Sequence, residues 1–118
     1  MAISSIFEQA RQTPDKIAVV YNGASYSYAD FARIIEITRQ YLARQDLPLG
    51  AVAVMDVHHL LDEWIIGFAL RSLGLTTIAT RPGGGVEELG IRNIGCVVRV
   101  EPRIDARRRT LRAHSHGD

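Results

Sequence analysis

The chain has 118 residues, which is enough for one compact domain and too few for two ordinary ones. Its composition, 47% hydrophobic and 23% charged, is typical of a globular domain and excludes a chain that is disordered throughout. The net charge of +1 does not indicate a nucleic-acid partner.

The compartment follows from the cysteine content and from the start of the chain. The single cysteine, Cys96, excludes an internal disulfide and favours a reducing compartment. The first residues lack the basic and apolar segments of a signal peptide. The most apolar stretch, 60–70, contains acidic residues and is too short to cross a membrane. The sequence therefore predicts a cytoplasmic protein with no membrane partner.

The first 44 residues predict a helix, a β-hairpin and a second helix. Apolar residues recur at helical spacing near the start, and Asn22-Gly23 is a strong hairpin signal because both residues tolerate positive φ. Ser27 and Asp30 form a pattern like a capping box at the start of the second helix. The predicted elements are a helix over 3–12, strands over 17–21 and 25–27, and a helix over 28–44.

The next part of the chain predicts a parallel sheet covered by helices. The run 51–55 is apolar without alternation, as expected of a strand that is buried on both faces. Gly74 is placed to end a helix with a wide apolar surface. Strand–helix–strand–helix–strand order with short links gives the α/β class, with a β-hairpin followed by a βαβαβ parallel layer. The predicted elements are strands over 51–55, 75–79 and 96–100, and helices over 59–73 and 86–94.

The end of the chain differs in charge and pattern. Residues 99–118 contain 6 Arg against 3 acidic residues, whereas residues 1–98 contain 8 Arg and Lys against 10 acidic residues. From Arg103 onward the only large apolar residues are Ile104 and Leu111. The absence of any periodicity predicts a basic disordered tail over 101–118.

Short motifs spread over residues 3–98 share their order and spacing with one family. Tyr26–Phe31 is similar to the motif Leu-Thr/Ser-Tyr-x-Glu-Leu, with Asp30 in place of Glu and Phe31 in place of the final Leu. The chain thus resembles the amino-terminal part of the adenylate-forming, or AMP-dependent synthetase/ligase, superfamily. That superfamily includes acyl-CoA synthetases and the adenylation domains of non-ribosomal peptide synthetases. The segments that carry the resemblance are Ile6–Ala10, Thr13–Val20, Tyr26–Phe31, Leu49–Val54, Leu70–Pro82, Glu88-Leu89 and Ile94–Val98.

The resemblance implies a fold and an activity, and it also implies that this chain lacks segments that the activity requires. Residues 1–100 would be a truncated part of the large N-terminal domain of an AMP-forming ligase that activates acids. The family uses ATP and Mg, but the 118 residues contain no counterpart of its phosphate loop, Ser/Thr-Gly-Ser/Thr-Thr-Gly-x-Pro-Lys, or of its late catalytic Lys. We therefore assign no catalytic, cofactor-binding or metal residue to this chain, and we expect the isolated chain to be inactive and to hold no cofactor of its own.

Two partner hypotheses and one alternative function follow. The predicted helix over 59–73 has more apolar surface than one sheet can bury, so we expect an exposed patch that binds the remainder of a split ligase or drives self-association. The alternative is a free-standing α/β interaction module that uses this apolar surface or the basic tail. The DNA downstream of Asp118 separates the two, because a split gene continues with the phosphate loop.

Several residues could in principle carry chemistry, and each also has a structural interpretation. Gly83–Gly85 follows a strand and could bind an anion, but the sequence favours a flexible turn. Trp64 and Phe68 could line a pocket, and we favour a place in the core. Cys96, in a predicted buried strand, is interpreted as an inert core thiol.

The remaining candidates are histidines, carboxylates and arginines. Asp56, His58, His59 and Asp62 could contribute to a metal site, but no second cluster completes four ligands. His114 and His116 are a weaker metal candidate. The cluster Arg107–Arg112 could hold phosphates, RNA or an acidic membrane surface, and the sequence favours an unselected basic end.

Overall fold

The computed structural model describes residues 3–48, 50–57, 59–80, 94–102 and 109–115. The predicted helix over 86–94 lies outside these residues, except for Ile94, which begins a strand. The segment Gly83–Gly85 also lies outside them. The other predicted helices and strands are confirmed with small shifts of their ends. The elements are α1 (Ile3–Gln12), β1 (Ile17–Tyr21), β2 (Ala24–Ser27), α2 (Tyr28–Ala43), β3 (Val52–Asp56), α3 (Leu60–Ser72), β4 (Thr76–Ala79), β5 (Ile94–Pro102) and β6 (Arg109–Ser115).

The hairpin and the start of α2 form as the local sequence predicts. Strands β1 and β2 pair antiparallel, and the turn places Asn22 at φ 50° and Gly23 at φ 79°. Both values lie in the left-handed region that a two-residue hairpin turn requires. Ser27 caps α2, since its hydroxyl accepts a hydrogen bond of 3.1 Å from the backbone N–H of Asp30.

The main sheet has four strands in the order β4-β3-β5-β6. Strand β3 pairs parallel with both β4 and β5, which confirms the predicted parallel layer. Gly74, with φ 92°, follows α3 and allows the sharp turn into β4. Of the helices in the described residues, none is both long and apolar enough to cross a membrane.

The prediction of disorder at the end of the chain is wrong for residues 109–115. These residues form β6, which pairs antiparallel with β5 from Cys96↔Ser115 to Pro102↔Arg109. A strand at a sheet edge is held by backbone hydrogen bonds to its neighbour, and these do not require the apolar periodicity that the segment lacks. Strand β5 also continues to Pro102, past the division placed at residue 100.

Two apolar clusters flank α3 and make it the centre of the described fold. On one side, Ile66, Ala69 and Leu70 pack towards the sheet with residues such as Met55 and Val98. On the other side, Leu61 and Ile65 of α3 pack with buried residues of α1 and α2, namely Ile6, Phe31, Ala32 and Ile35. Burial on two sides explains why the helix sequence is apolar over so much of its surface.

Candidate functional site

The carboxyl ends of the parallel strands bring together three polar side chains. Asp56 ends β3, Thr80 follows β4, and Arg99 lies in β5. The Asp56 carboxylate accepts hydrogen bonds from the Thr80 hydroxyl at 3.3 Å and from Nε of Arg99 at 3.0 Å. Thr80 is only 8% exposed, and its backbone N–H donates to the carbonyl of Met55 at 3.0 Å.

Ligands of open α/β sheets bind at this edge, which makes the cluster a candidate site. Its carboxylate is already neutralised by Arg99 and fixed by Thr80, which suits it to holding three strands together rather than to acid–base chemistry. The metal hypothesis gains no support, because no three metal-ligating side chains come together in the described ranges, which include Asp56, His59 and Asp62. His58 and His116 lie outside those ranges.

The other sequence candidates do not add a reactive group. The Cys96 side chain is fully buried, and this burial raises the pKa of the thiol, so the interpretation as a core thiol is confirmed. Arg109, Arg112 and His114 lie in β6, which pairs with β5. Arg107 and Arg108 are outside the described residues.

A surface groove of about 400 Å³ lies between the hairpin and the amphipathic helices. Strand β1 contributes small and branched side chains to one wall, α2 contributes an aromatic ring, and α3 contributes the opposite wall. The described lining residues are Ala18, Val19, Phe31, Trp64, Phe68 and Arg71.

The aromatic wall of the groove is set by the geometry of α3. Trp64 and Phe68 are four residues apart and Arg71 follows three residues later, so all three share one face of the helix. Phe68 meets Phe31 of α2 edge to face, with ring centroids 6.3 Å apart. Trp64, however, is 45% exposed. The preference for a core position therefore holds for Phe68, and for Trp64 the pocket alternative is correct.

Arg71 also lines the groove, and two contacts hold its side chain. Its guanidinium carbon lies 5.2 Å from the ring centroid of Phe68, and its Nη1 donates a hydrogen bond of 2.8 Å to the hydroxyl of Thr77. Within the described part of the chain, no carboxylate pairs with it. A Cβ added to Gly67 would come within 2.9 Å of Nη1, so this glycine leaves the space that the arginine occupies. Sequence reasoning missed this pair, and the signal was a glycine inside a helix.

No family model matches the chain, and no curated protein sequence does. The N-terminal subdomain of NpsA from Klebsiella oxytoca is similar over 75% of this chain and 23% of its own, with 16% identity and a TM-score of 0.65. O-succinylbenzoate coenzyme A synthetase (MenE) from Bacillus subtilis, solved in complex with AMP, is similar over 80% of this chain and 26% of its own, with 16% identity and a TM-score of 0.69.

A third similar structure is NpsA-ThdA, an artificially fused adenylation–PCP di-domain from Klebsiella oxytoca. The match covers 75% of this chain and 17% of that one, with 18% identity and a TM-score of 0.64. The chain thus spans about a quarter, or less, of the length of the structures it matches. Its described residues have the α/β fold found in the N-terminal domains of AMP-forming ligases, which confirms the fold that the sequence motifs imply.

Proposed function

We propose that this chain is the amino-terminal portion of an ATP-dependent, AMP-forming ligase, either an acyl-CoA synthetase or an amino-acid adenylation domain. One observation carries the proposal: the match extends over 75–80% of this chain but over only 17–26% of the similar structures. The portion is then a scaffold piece in a much larger domain. The lone, buried thiol supports a cytoplasmic location.

In this proposal the 118 residues do not catalyse adenylation alone. Transfer of an adenylyl group requires donors placed where negative charge develops on the departing pyrophosphate. The sequence has no phosphate loop to supply them. The residues described do not fit a magnesium nucleotide either, since the Asp56 carboxylate at the sheet edge is held by Arg99 and Thr80. ATP and Mg belong to the complete ligase.

The test has two arms based on acid-dependent exchange of pyrophosphate into ATP. The chain alone, offered a broad panel of carboxylic and amino acids, is expected to give no exchange above the no-enzyme control. The chain co-expressed with the polypeptide encoded immediately downstream is expected to give exchange with at least one acid. The scaffold role would be overturned if the chain alone gave exchange and Asp56→Asn abolished it. The ligase assignment would be overturned if the combined sample gave no exchange.

A second candidate function is a free-standing interaction module, and the open aromatic groove favours it. Such a module needs a stable monomer that keeps the groove accessible. A cooperative thermal unfolding transition and a monomeric mass by light scattering, together with no complementing downstream frame, would support this function over the first.

A further inference from the structure

We infer that the groove between β1 and α3 is the docking site of a polypeptide segment from the remainder of the ligase domain. That segment presents an apolar side chain to Trp64 and Phe68 and, next to it, an Asp or Glu carboxylate to Arg71. The inference rests on the proposed function, because the complete domain supplies the occupant.

The apolar half of the inference follows from the groove walls. A volume of about 400 Å³ accommodates one or two large side chains. Strand β1 contributes no charged residue to its wall, and Trp64 leaves nearly half of its surface to solvent. An exposed aromatic ring beside a cavity is typical of the few residues that dominate binding energy at interfaces.

The charged half follows from Arg71. It is the only charged residue among the described lining residues, and no carboxylate in the described part of the chain neutralises it. Contacts with Phe68 and Thr77 hold its guanidinium in place, so binding would cost little side-chain entropy. The remaining N–H groups of the planar guanidinium suit a carboxylate acceptor.

A second copy of the chain fits the groove less well. A symmetric pair of grooves would bring two Arg71 side chains into one interface, and the described lining residues include no carboxylate to pair with them. Charge complementarity therefore favours an acidic, apolar segment as the occupant.

The fluorescence of Trp64 provides a direct test, because it is the only tryptophan in the chain. We would titrate the wild-type chain with three matched peptides: acetyl-Leu-Asp-Leu-amide, acetyl-Leu-Asn-Leu-amide and acetyl-Leu-Lys-Leu-amide. We expect the Asp peptide to shift the Trp64 emission and to bind about fivefold more tightly than the Asn peptide, the ratio expected for one exposed ion pair. The Lys peptide should bind most weakly.

Variants assign this preference to the groove. Arg71→Gln should give equal affinities for the Asp and Asn peptides, whereas Arg71→Lys should keep part of the preference. Ile37→Ala is the matched control, because Ile37 is exposed on α2 but does not line the groove. Far-ultraviolet circular dichroism shows that each variant is folded.

The inference is overturned if the three peptides bind equally, or if Arg71→Gln retains the preference. It is also overturned if light scattering shows a dimer that Trp64→Ala dissociates, since the occupant is then a second copy. Failure of the ligase assignment is distinguishable, because it appears as absent pyrophosphate exchange in the combined sample and leaves the peptide ratios unchanged.

Discussion

The two sides of α3 carry similar apolar residues but have different surroundings. Towards the sheet, Ala69 and Leu70 are completely buried. Towards the hairpin, Leu61 and Ile65 are buried, but Trp64 is 45% exposed and borders an open groove. Both sides of α3 pack against buried residues, and on the hairpin side this packing leaves Trp64 partly exposed. The sheet side therefore reports the fold, whereas the hairpin side also borders the groove for which an occupant is proposed above.

The largest expected difference between the two sides is in stability. Leu70→Ala should lower the free energy of unfolding by about 2–5 kcal/mol, because it leaves a cavity in a closed cluster. Trp64→Ala should lower it by less than Leu70→Ala does, because Trp64 is already 45% exposed to solvent. Urea denaturation followed by circular dichroism measures both. Equal losses would mean that the groove is as tightly packed as the core.

The polar cluster at the sheet edge should contribute more to the free energy of unfolding than an ion pair on a helix surface. Asp56→Ala removes the acceptor shared by Thr80 and Arg99 and should cost about 1–3 kcal/mol, since Thr80 is nearly buried. Arg33→Ala breaks an exposed pair with Asp30 and should cost no more than about 1 kcal/mol. Chemical denaturation of the two variants under the same conditions makes the comparison. A smaller loss for Asp56→Ala would contradict its structural role.

Gly67 is a buried residue of α3 next to Arg71, and its substitution should have opposite effects on stability and on binding. Gly67→Ala should raise the free energy of unfolding by no more than about 0.5–1 kcal/mol, because alanine favours the helix but its new Cβ, whose three nearest atoms all belong to the Arg71 guanidinium, must displace that group from Phe68 and Thr77. The displaced guanidinium should weaken the preference for the Asp peptide. The control is Gly67→Ala in a chain that also carries Arg71→Ala, because the three nearest contacts of the added methyl are then absent. A destabilised Gly67→Ala variant would show that Arg71 cannot move.

The smallest change in stability is expected from an ion pair on the outer surface of α2, away from both sides of α3. Hydrogen bonds from Arg39 hold the pKa of Glu36 below its ordinary value of 4.5. The folded form therefore gains stability at neutral pH, and this gain is lost as the pH falls through the lowered pKa. Both side chains are over a third exposed, so the gain is about 0.5 kcal/mol or less. Glu36→Gln should lower the melting temperature slightly at neutral pH and leave it unchanged at about pH 2.

The local sequence was sufficient for features that depend on neighbouring residues. The Asn22-Gly23 turn, the Ser27 cap and the glycine after α3 each depend on the conformations or hydrogen bonds available to a few adjacent residues, and each was predicted. The parallel strands also followed, because burial on both faces leaves a continuous apolar run.

The features that the sequence did not predict depend on distant residues. Asp56 pairs with Arg99 across 43 positions of the chain, and no pattern within either strand indicates it. The exposure of Trp64 depends on how far the hairpin covers α3, and the rotamer of Arg71 depends on Phe68 and Thr77. Strand β6 depends on the free edge of β5.

The central position of β3 also bears on how the protein is synthesised. The hairpin closes between Ile17 and Ser27, whereas β3 must wait for Ile94–Pro102 before its second edge is paired. Contacts that are distant along the chain form slowly. On the ribosome, the amino-terminal half can therefore acquire structure while β3 still exposes an apolar, unpaired edge to other nascent chains. This edge is most exposed to aggregation between the synthesis of β3 and that of β5, so a chaperone that covered it would act in that interval.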